Sequence, residues 1–577
     1  MRPHSPFRIL PLHIVELILD YVGGNSRSEY NNVFVGTEEY TALLLPLLAT
    51  CPEFTLPAME RMFRSYSLRL TRNSSDYSNA WAVLQTELKC MGVHTNLYPK
   101  ELVINLSEQE VYSGAALKEL SREPFNDCIF PKVRSISLVF SQMAEDEIDF
   151  PNIESNVSAF VERITTMAPM VKSISIAGEL GHQDQTPFAD DRSSKLVAQL
   201  SRLVTELDYH FDYRPVRIDQ QLSGLCSLVY SSYGSNDGGK AIMELGRCNA
   251  STLRVLDIFP SAHIDIASLI RNSDGSYVQY PCLLELRLNG RPREDVPRSS
   301  VFPGAVPFPN LRRLKLKHVY SYSDDTIFRG NAATLESLYI FLSLGEARVL
   351  NECGVFTPDS HPKLQNVKVE LASSDQPNFF GSDVDFIRFV LSVGPNAPVR
   401  TICHSPFNPA FGSMLPALGE HTRIQVLKLE HLALTLWDIM ALVKALPLLS
   451  DLHTKSFTPG PWPTGVPNHK PPAYVIASYA PTGSRFCCWH FESDAGGNIK
   501  NVVLCVLLLA LACPNFDYAV AYATNRDAFM AGMGQMIATG GFRPHASRLR
   551  RLLYSRPGTE LSSREMIQQM VNVLSPN

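Results

Sequence analysis

One six-residue pattern recurs along most of this chain: an apolar residue, two variable ones, apolar, variable, apolar. It reads VRSISL from Val133, VKSISI from Val171, VTELDY from Val204, LCSLVY from Leu225, LRVLDI from Leu253 and LLELRL from Leu283. It continues as LRRLKL from Leu311, LESLYI from Leu335, LQNVKV from Leu364, VRTICH from Val399, IQVLKL from Ile424 and LSDLHT from Leu449. The copies at Val399 and Leu449 are degenerate. Individual spacings run from 21 to 38 residues, with a mean of about 29, inside the range of solenoid repeats. Apolar residues in alternation predict a strand in each copy. A unit of this kind cannot bury its own apolar face, so the pattern requires neighbours to stack on it.

Between the strands lie stretches with apolar residues three and four apart: Ile153–Met167, Ser193–Leu203, Asp383–Val393 and Thr435–Leu446. Such spacing predicts helices. The expected fold is therefore α/β, a leucine-rich-repeat solenoid curved into an irregular horseshoe. A length of 577 residues would otherwise suggest about three to four domains, an estimate that a repeat array overrides. Two Pro-rich segments, 289–310 and 457–485, are expected as rim loops, since proline interrupts helix and central strand alike. Beyond them, Phe486–Phe491 is expected as a strand, Lys500–Cys513 as a buried helix and Leu549–Leu553 as part of a C-terminal cap.

Composition narrows the function classes. Lys+Arg 52 against Asp+Glu 57 gives a net charge of −5, which argues against a nucleic-acid binder and against binding to an acidic membrane surface. The most apolar run, Val502–Ala512, is about half the length that spans a bilayer. Twelve scattered cysteines without a C-x-x-C pair read as free, mostly buried thiols of a reducing compartment. The expected location is cytoplasmic and/or nuclear.

The first seventy or so residues differ from the rest. Ile9–Val22 begins with Leu10-Pro11 and then places Ile14, Val15, Leu17, Ile18 and Val22 at helical spacing. Proline suits the first turn of a helix, where its missing N–H costs nothing. Second and third helices are expected over Tyr40–Thr50 and Leu56–Ser67, making a small all-α module over residues 1–75 ahead of a solenoid over 76–577.

Leu10-Pro11 followed by an apolar helix, then a helix ending in Cys51 and Phe54, resembles an F-box. With the repeats behind it, the chain resembles the divergent, largely uncharacterised fungal type of F-box/leucine-rich-repeat protein. The resemblance implies a substrate-recognition subunit of a Skp–cullin–F-box ubiquitin ligase, non-catalytic itself and monomeric outside the complex. By match to the motif, Leu10, Pro11, Ile14, Val15 and Ile18 would contact a Skp-type adaptor, and through it a cullin, with Leu44, Leu45 and Leu48 from the second helix. The residues leave open an alternative, a leucine-rich-repeat interaction scaffold with no ligase link, its first helices capping the solenoid.

Motifs for catalysis or cofactors are weak. Gly234–Ala241 (GSNDGGKA) approaches a phosphate-binding loop, but Ala241 stands where a magnesium-holding hydroxyl belongs, and the segment falls inside the repeat ladder. It reads as a strand-to-helix turn. The fifteen histidines show no metal-ligand spacing, and successive residues Cys487, Cys488, Trp489 and His490 of a strand face opposite sides. No cofactor, metal or catalytic residue is expected.

Alternation does locate a partner surface. In each copy the residue between the last two apolar positions points away from the core. That row reads Ser137, Ser175, Asp208, Val229, Asp257, Arg287, Lys315, Tyr339, Lys368, Cys403, Lys428 and His453. Its second half is cationic around one tyrosine, and Lys317 and Phe341 lie two residues further along their strands. The candidate site for a protein partner, acidic or phosphorylated, is therefore the concave face carrying Arg287, Lys315, Lys317, Tyr339, Phe341, Lys368 and Lys428.

Overall fold

The computed structural model describes residues 65–69, 97, 99–122, 125–142, 152–178, 196, 199–200, 202–211, 222–232, 238–260, 269–272, 276–289, 306–317, 333–342, 361–371, 390–404, 411–458, 485–491 and 517–518. The adaptor-contact residues expected at Leu10, Pro11, Ile14, Val15, Ile18, Leu44, Leu45 and Leu48 lie outside them. So do the expected helix over Lys500–Cys513 and the element at Leu549–Leu553. The chain divides into two compact units, Met1–Arg291 and Pro292–Asn577.

In the first unit eight strands pair in sequence order, every pair parallel: β1 (Ser65–Arg69), β2 (Glu101–Ser107), β3 (Ser135–Gln142), β4 (Ser173–Gly178), β5 (Glu206–Phe211), β6 (Ser227–Ser232), β7 (Val255–Pro260) and β8 (Glu285–Asn289). The second unit does the same with β9 (Arg313–Lys317), β10 (Ser337–Leu342), β11 (Asn366–Leu371), β12 (Val399–His404), β13 (Val426–Thr435), β14 (Asp451–Thr458), β15 (Arg485–Phe491) and β16 (Asp517–Tyr518). Open parallel sheets built from repeated strand-and-turn units are the architecture of a repeat solenoid.

In register, the apolar positions form rows. Leu102, Ile136, Ile174, Leu207, Leu228, Leu256 and Leu286 are cross-strand neighbours in turn, and none is more than 1% exposed. A second row places Tyr209 beside Tyr230, with stacked rings at a centroid distance of 5.6 Å. Each such side chain contributes about 1.5–3 kcal/mol by leaving water.

Entry to a strand follows one recipe that the motif search did not register. Phe130-Pro131, Ala168-Pro169, Tyr280-Pro281, Phe308-Pro309, His361-Pro362, Gly394-Pro395 and Leu446-Pro447 each open a four-residue turn. The turn closes by an N–H to C=O bond of 2.9–3.3 Å, as in Val133 to Phe130 and Leu311 to Phe308. Proline is preset for the second position of such a turn. Phe308 is fully buried, so the end of the first Pro-rich segment is an ordinary repeat corner rather than a rim loop. The residue before each strand then accepts N–H bonds from the next repeat: Lys100 from Arg134, Arg134 from Lys172, Lys172 from Thr205.

Six helices are described over their whole length: α1 (Glu108–Tyr112), α2 (Ala115–Leu120), α3 (Ile153–Met167), α4 (Gly238–Cys248), α5 (Phe411–Gly419) and α6 (Leu436–Ala445). Helix α3 has the expected bounds and buries Val157, Phe160, Val161, Ile164 and Met167. Helix α6 starts from a capping box in which the Thr435 N–H donates to Asp438 at 2.8 Å and the Asp438 N–H to Thr435 at 3.2 Å, satisfying two N–H groups. Gly238–Lys240 form the first turn of α4. No helix among the described residues is long and apolar enough to cross a membrane.

Three expectations need correction. The helix expected over Leu56–Ser67 gives way at Ser65 to β1, which pairs residue for residue with β2; Tyr66 and Leu68 already follow the period of a strand. Among the described cysteines only Cys403 is buried, while Cys248 and Cys282 are exposed, because they fall at a helix end and a turn. The motif at Val399 is two residues out of register. Lys368 pairs with Thr401, so Arg400 occupies the row held elsewhere by leucine, and Cys403 is not the row's member.

Arg400 is 1% exposed. Its guanidinium donates to the carbonyls of Val390 at 3.1 Å, Val393 at 2.9 Å and Gly394. These are groups at a helical turn's end that lack internal partners. Burial pulls its pKa down to about 10, so it stays charged at neutral pH. Gly394 has φ +58°, and a Cβ there would lie 2.4 Å from Leu364 Cδ2, so this corner requires glycine. Asn249 plays a comparable part in the first unit: its Oδ1 accepts the Leu225 N–H at 3.0 Å, and its Nδ2 donates to Leu222 and Leu245 carbonyls at 2.8 and 2.9 Å.

Asn249→Ala should therefore destabilise the chain by about 2 kcal/mol or more, because it strands buried polar groups, and Asn249→Asp should cost at least as much. Urea unfolding of the full chain, beside the surface control Ser251→Ala, measures both. A pH effect follows from His421, whose pKa is lowered by burial first and by the Arg400 charge second. The unfolded chain holds that proton more tightly, so this contribution to stability is present above about pH 6.5 and lost as pH falls toward the folded value. His421→Gln should flatten the fall in melting temperature on acidification; a variant that tracks the wild type would show that another group governs it.

Candidate protein-interaction face

The same register that buries the apolar rows aligns the residues between them on the opposite, open face of each sheet. In the first unit the row is Val103, Ser137, Ser175, Asp208, Val229, Asp257 and Arg287. In the second it is Lys315, Tyr339, Lys368, Thr401, Lys428 and His453. Adjacent strands lie about 4.8 Å apart and alternate residues of one strand about 6.6 Å. Residues far apart in sequence thus become side-chain neighbours.

The cationic residues do not form one continuous stripe. Arg287 donates through Nε to Glu285 at 2.6 Å and through Nη1 to Asp257 at 3.3 Å. Its pKa is raised: burial alone would lower it, but the hydrogen bond and charge of Glu285, then those of Asp257, outweigh burial. With two carboxylates on it, Arg287 belongs to an acidic surface. Glu206, Asp208, Asp257 and Glu285 stand there against this one guanidinium. At the other end, Thr401 and Cys403 are buried, which interrupts the row at β12 and separates Lys428 from Lys368.

What remains together is a cluster on β9, β10 and β11. The Lys315 Nζ lies 5.3 Å from the centre of the Tyr339 ring, Lys368 Nζ 5.2 Å and Lys317 Nζ 5.5 Å; Lys317 is also 5.5 Å from the centre of Phe341. Each ammonium over an aromatic face gains about 0.5–1 kcal/mol at a partly exposed site. The Tyr339 hydroxyl donates to Glu370, whose carboxylate also lies 4.0 Å from Lys368. On these three strands the open face carries Arg313, Lys315, Lys317 and Lys368 against the single carboxylate of Glu370. The ring separates and orients three like charges, leaving a positive surface on a chain whose net charge is negative.

A second polar cluster lies on β4 and β5. Ser175 donates to Asp208 at 3.4 Å, and His210 Nε2 lies 2.6 Å from the same carboxylate. Here the carboxylate sits between hydroxyl and imidazole, so His210 is not in place to take the Ser175 proton. Nucleophile activation needs the base on the hydroxyl. The row expectation recovers Lys315, Lys317, Tyr339, Phe341 and Lys368 as one cluster; Glu370, which the row reading did not include, is recognisable from its position two residues after Lys368.

No family model and no curated protein matches this chain. Among solved structures it is similar to a Bacteroides fragilis protein determined by the Northeast Structural Genomics Consortium. The identity is 10%, over 67% of this chain and 79% of that one, with a TM-score of 0.19. At that score the likeness carries no weight. The assignment to a repeat solenoid rests on the strand order, the parallel pairing and the recurring turn.

Proposed function

We propose that this chain is a non-catalytic receptor subunit of a Skp–cullin–F-box ubiquitin ligase, holding a protein partner on the open face of its repeats. The observation that carries the reading is an order in the sequence: Leu10-Pro11 and the apolar run after it precede a repeat array. Support from the fold is coarser. Rows of side chains on a parallel sheet offer a wide, rigid surface of the kind repeat proteins use for binding. Ligase activity would then arise from proximity, because a tethered partner meets the conjugating enzyme at a high effective concentration. We take the partner segment to be anionic, a reading supported by the cations on the open face of β9–β11.

Capture of the full chain by the Skp-type adaptor of its own organism tests this. Stoichiometric capture is expected, with loss in a Pro11→Ala, Ile14→Asp double variant whose circular dichroism matches the wild type. Failure of the folded wild type to bind the adaptor would overturn the ligase reading and leave an interaction scaffold.

A further inference from the structure

We propose that the Tyr339-centred cluster of the second unit binds an extended segment rich in aspartate or glutamate, reading spaced carboxylates rather than one phosphorylated residue. This rests on the reading that the open face of the repeats receives the protein partner. The argument is charge complementarity together with the kind and spacing of the cations.

A single phosphate is held best by donors that converge on it, above all the planar fork of arginine, which pairs two N–H groups with two oxygens. The three cations here are lysines, and Lys315 and Lys368 stand on opposite sides of Tyr339 in the sheet. All three stand on the two strands that flank one ring, Lys315 and Lys317 on β9 and Lys368 on β11, each 5.2–5.5 Å from its centre. Lys315 and Lys368 flank Tyr339 across the sheet, and Lys317 lies two residues along β9 from Lys315. At the backbone, Lys315 and Lys368 are thus two strand steps apart, about 9.6 Å, and Lys315 and Lys317 about 6.6 Å. An extended peptide advances by a similar step, about 6.6–7 Å between alternate side chains, and so can bring successive carboxylates to separate lysines. Lysine suits such use, being a mobile point charge on a long stem. On one side the site has an edge, because the buried Thr401 closes the row beyond Lys368.

The test measures anisotropy of a dye-labelled decapeptide alternating glutamate with alanine, titrated with the full chain. The expected result is saturable binding that weakens about tenfold as salt rises from about 0.05 to 0.2 M, with no binding of the glutamine counterpart. Lys315→Gln, Lys317→Gln and Lys368→Gln should each weaken binding severalfold and the triple variant abolish it, while Arg287→Gln leaves it unchanged. Melting curves matching the wild type exclude loss of fold, and Lys315→Arg should restore most of the affinity as a charge-preserving control. Unchanged affinity in the triple variant would overturn the proposal. So would tighter binding of a peptide carrying one phosphoserine among glutamines. A wild-type chain that captures the adaptor yet ignores the glutamate peptide would overturn this inference alone, leaving the receptor reading in place.

Discussion

Within each unit the described strands bond to their neighbours in sequence, in parallel and almost without slippage. The carbonyl before each strand is taken up by N–H groups of the next repeat, as Arg134, Lys172 and Arg254 show. Buried peptide groups must be paired, so this ladder fixes the register of each repeat against its neighbours. Everything else follows from that register. A one-residue slip would send a whole apolar row to the open face and the lysines into the core, and the proline turns place each chain segment at the same step of the ladder.

Fixed register also explains which polar residues the core can hold. Arg400 stands in a leucine row, in line with Val367 and Leu427. It is tolerated because the preceding helical turn ends in carbonyls that need donors, and the guanidinium supplies them from inside. Asn249 does the same with one amide, tying the end of α4 to the turn before β6. Each replaces apolar packing by a set of directional bonds, and each becomes intolerant of substitution for that reason. His421 shares the Arg400 corner, and its proton affinity is lowered by the same burial and charge.

The strands were readable from sequence because alternation and a repeat period reinforce each other. In eleven of the twelve motif copies the strand begins two residues after the motif's first residue. The Val399 copy fails because its true row member is an arginine, which no apolar pattern can register. Strands β1 and β2 escaped since Tyr66 and Leu68, then Leu102 and Ile104, follow Phe63 and Pro99, too diverse an opening for the motif. The proline turns were missed because proline was read as interruption, although its position relative to each strand is constant. At the candidate site, the row set Lys315, Tyr339 and Lys368 side by side, as the pairing has them, but it misplaced Cys403. It could not predict that Arg287 is paired with carboxylates, since that depends on Glu285 of its own strand and Asp257 of the preceding one. Nor could it predict the burial of Thr401.

A solenoid separates two duties that compact domains must mix. The inward rows carry the stability, so the outward rows are left to vary in charge without cost to the core. Here they have diverged. The open face of β5–β8 carries four carboxylates and one arginine, whereas that of β9–β11 carries four cations and one carboxylate, on sheets of the same design. Solubility alone would be served by mixing the signs on each sheet, as exposed surfaces ordinarily do. Three lysines gathered around one tyrosine instead concentrate one sign on the open face of β9–β11.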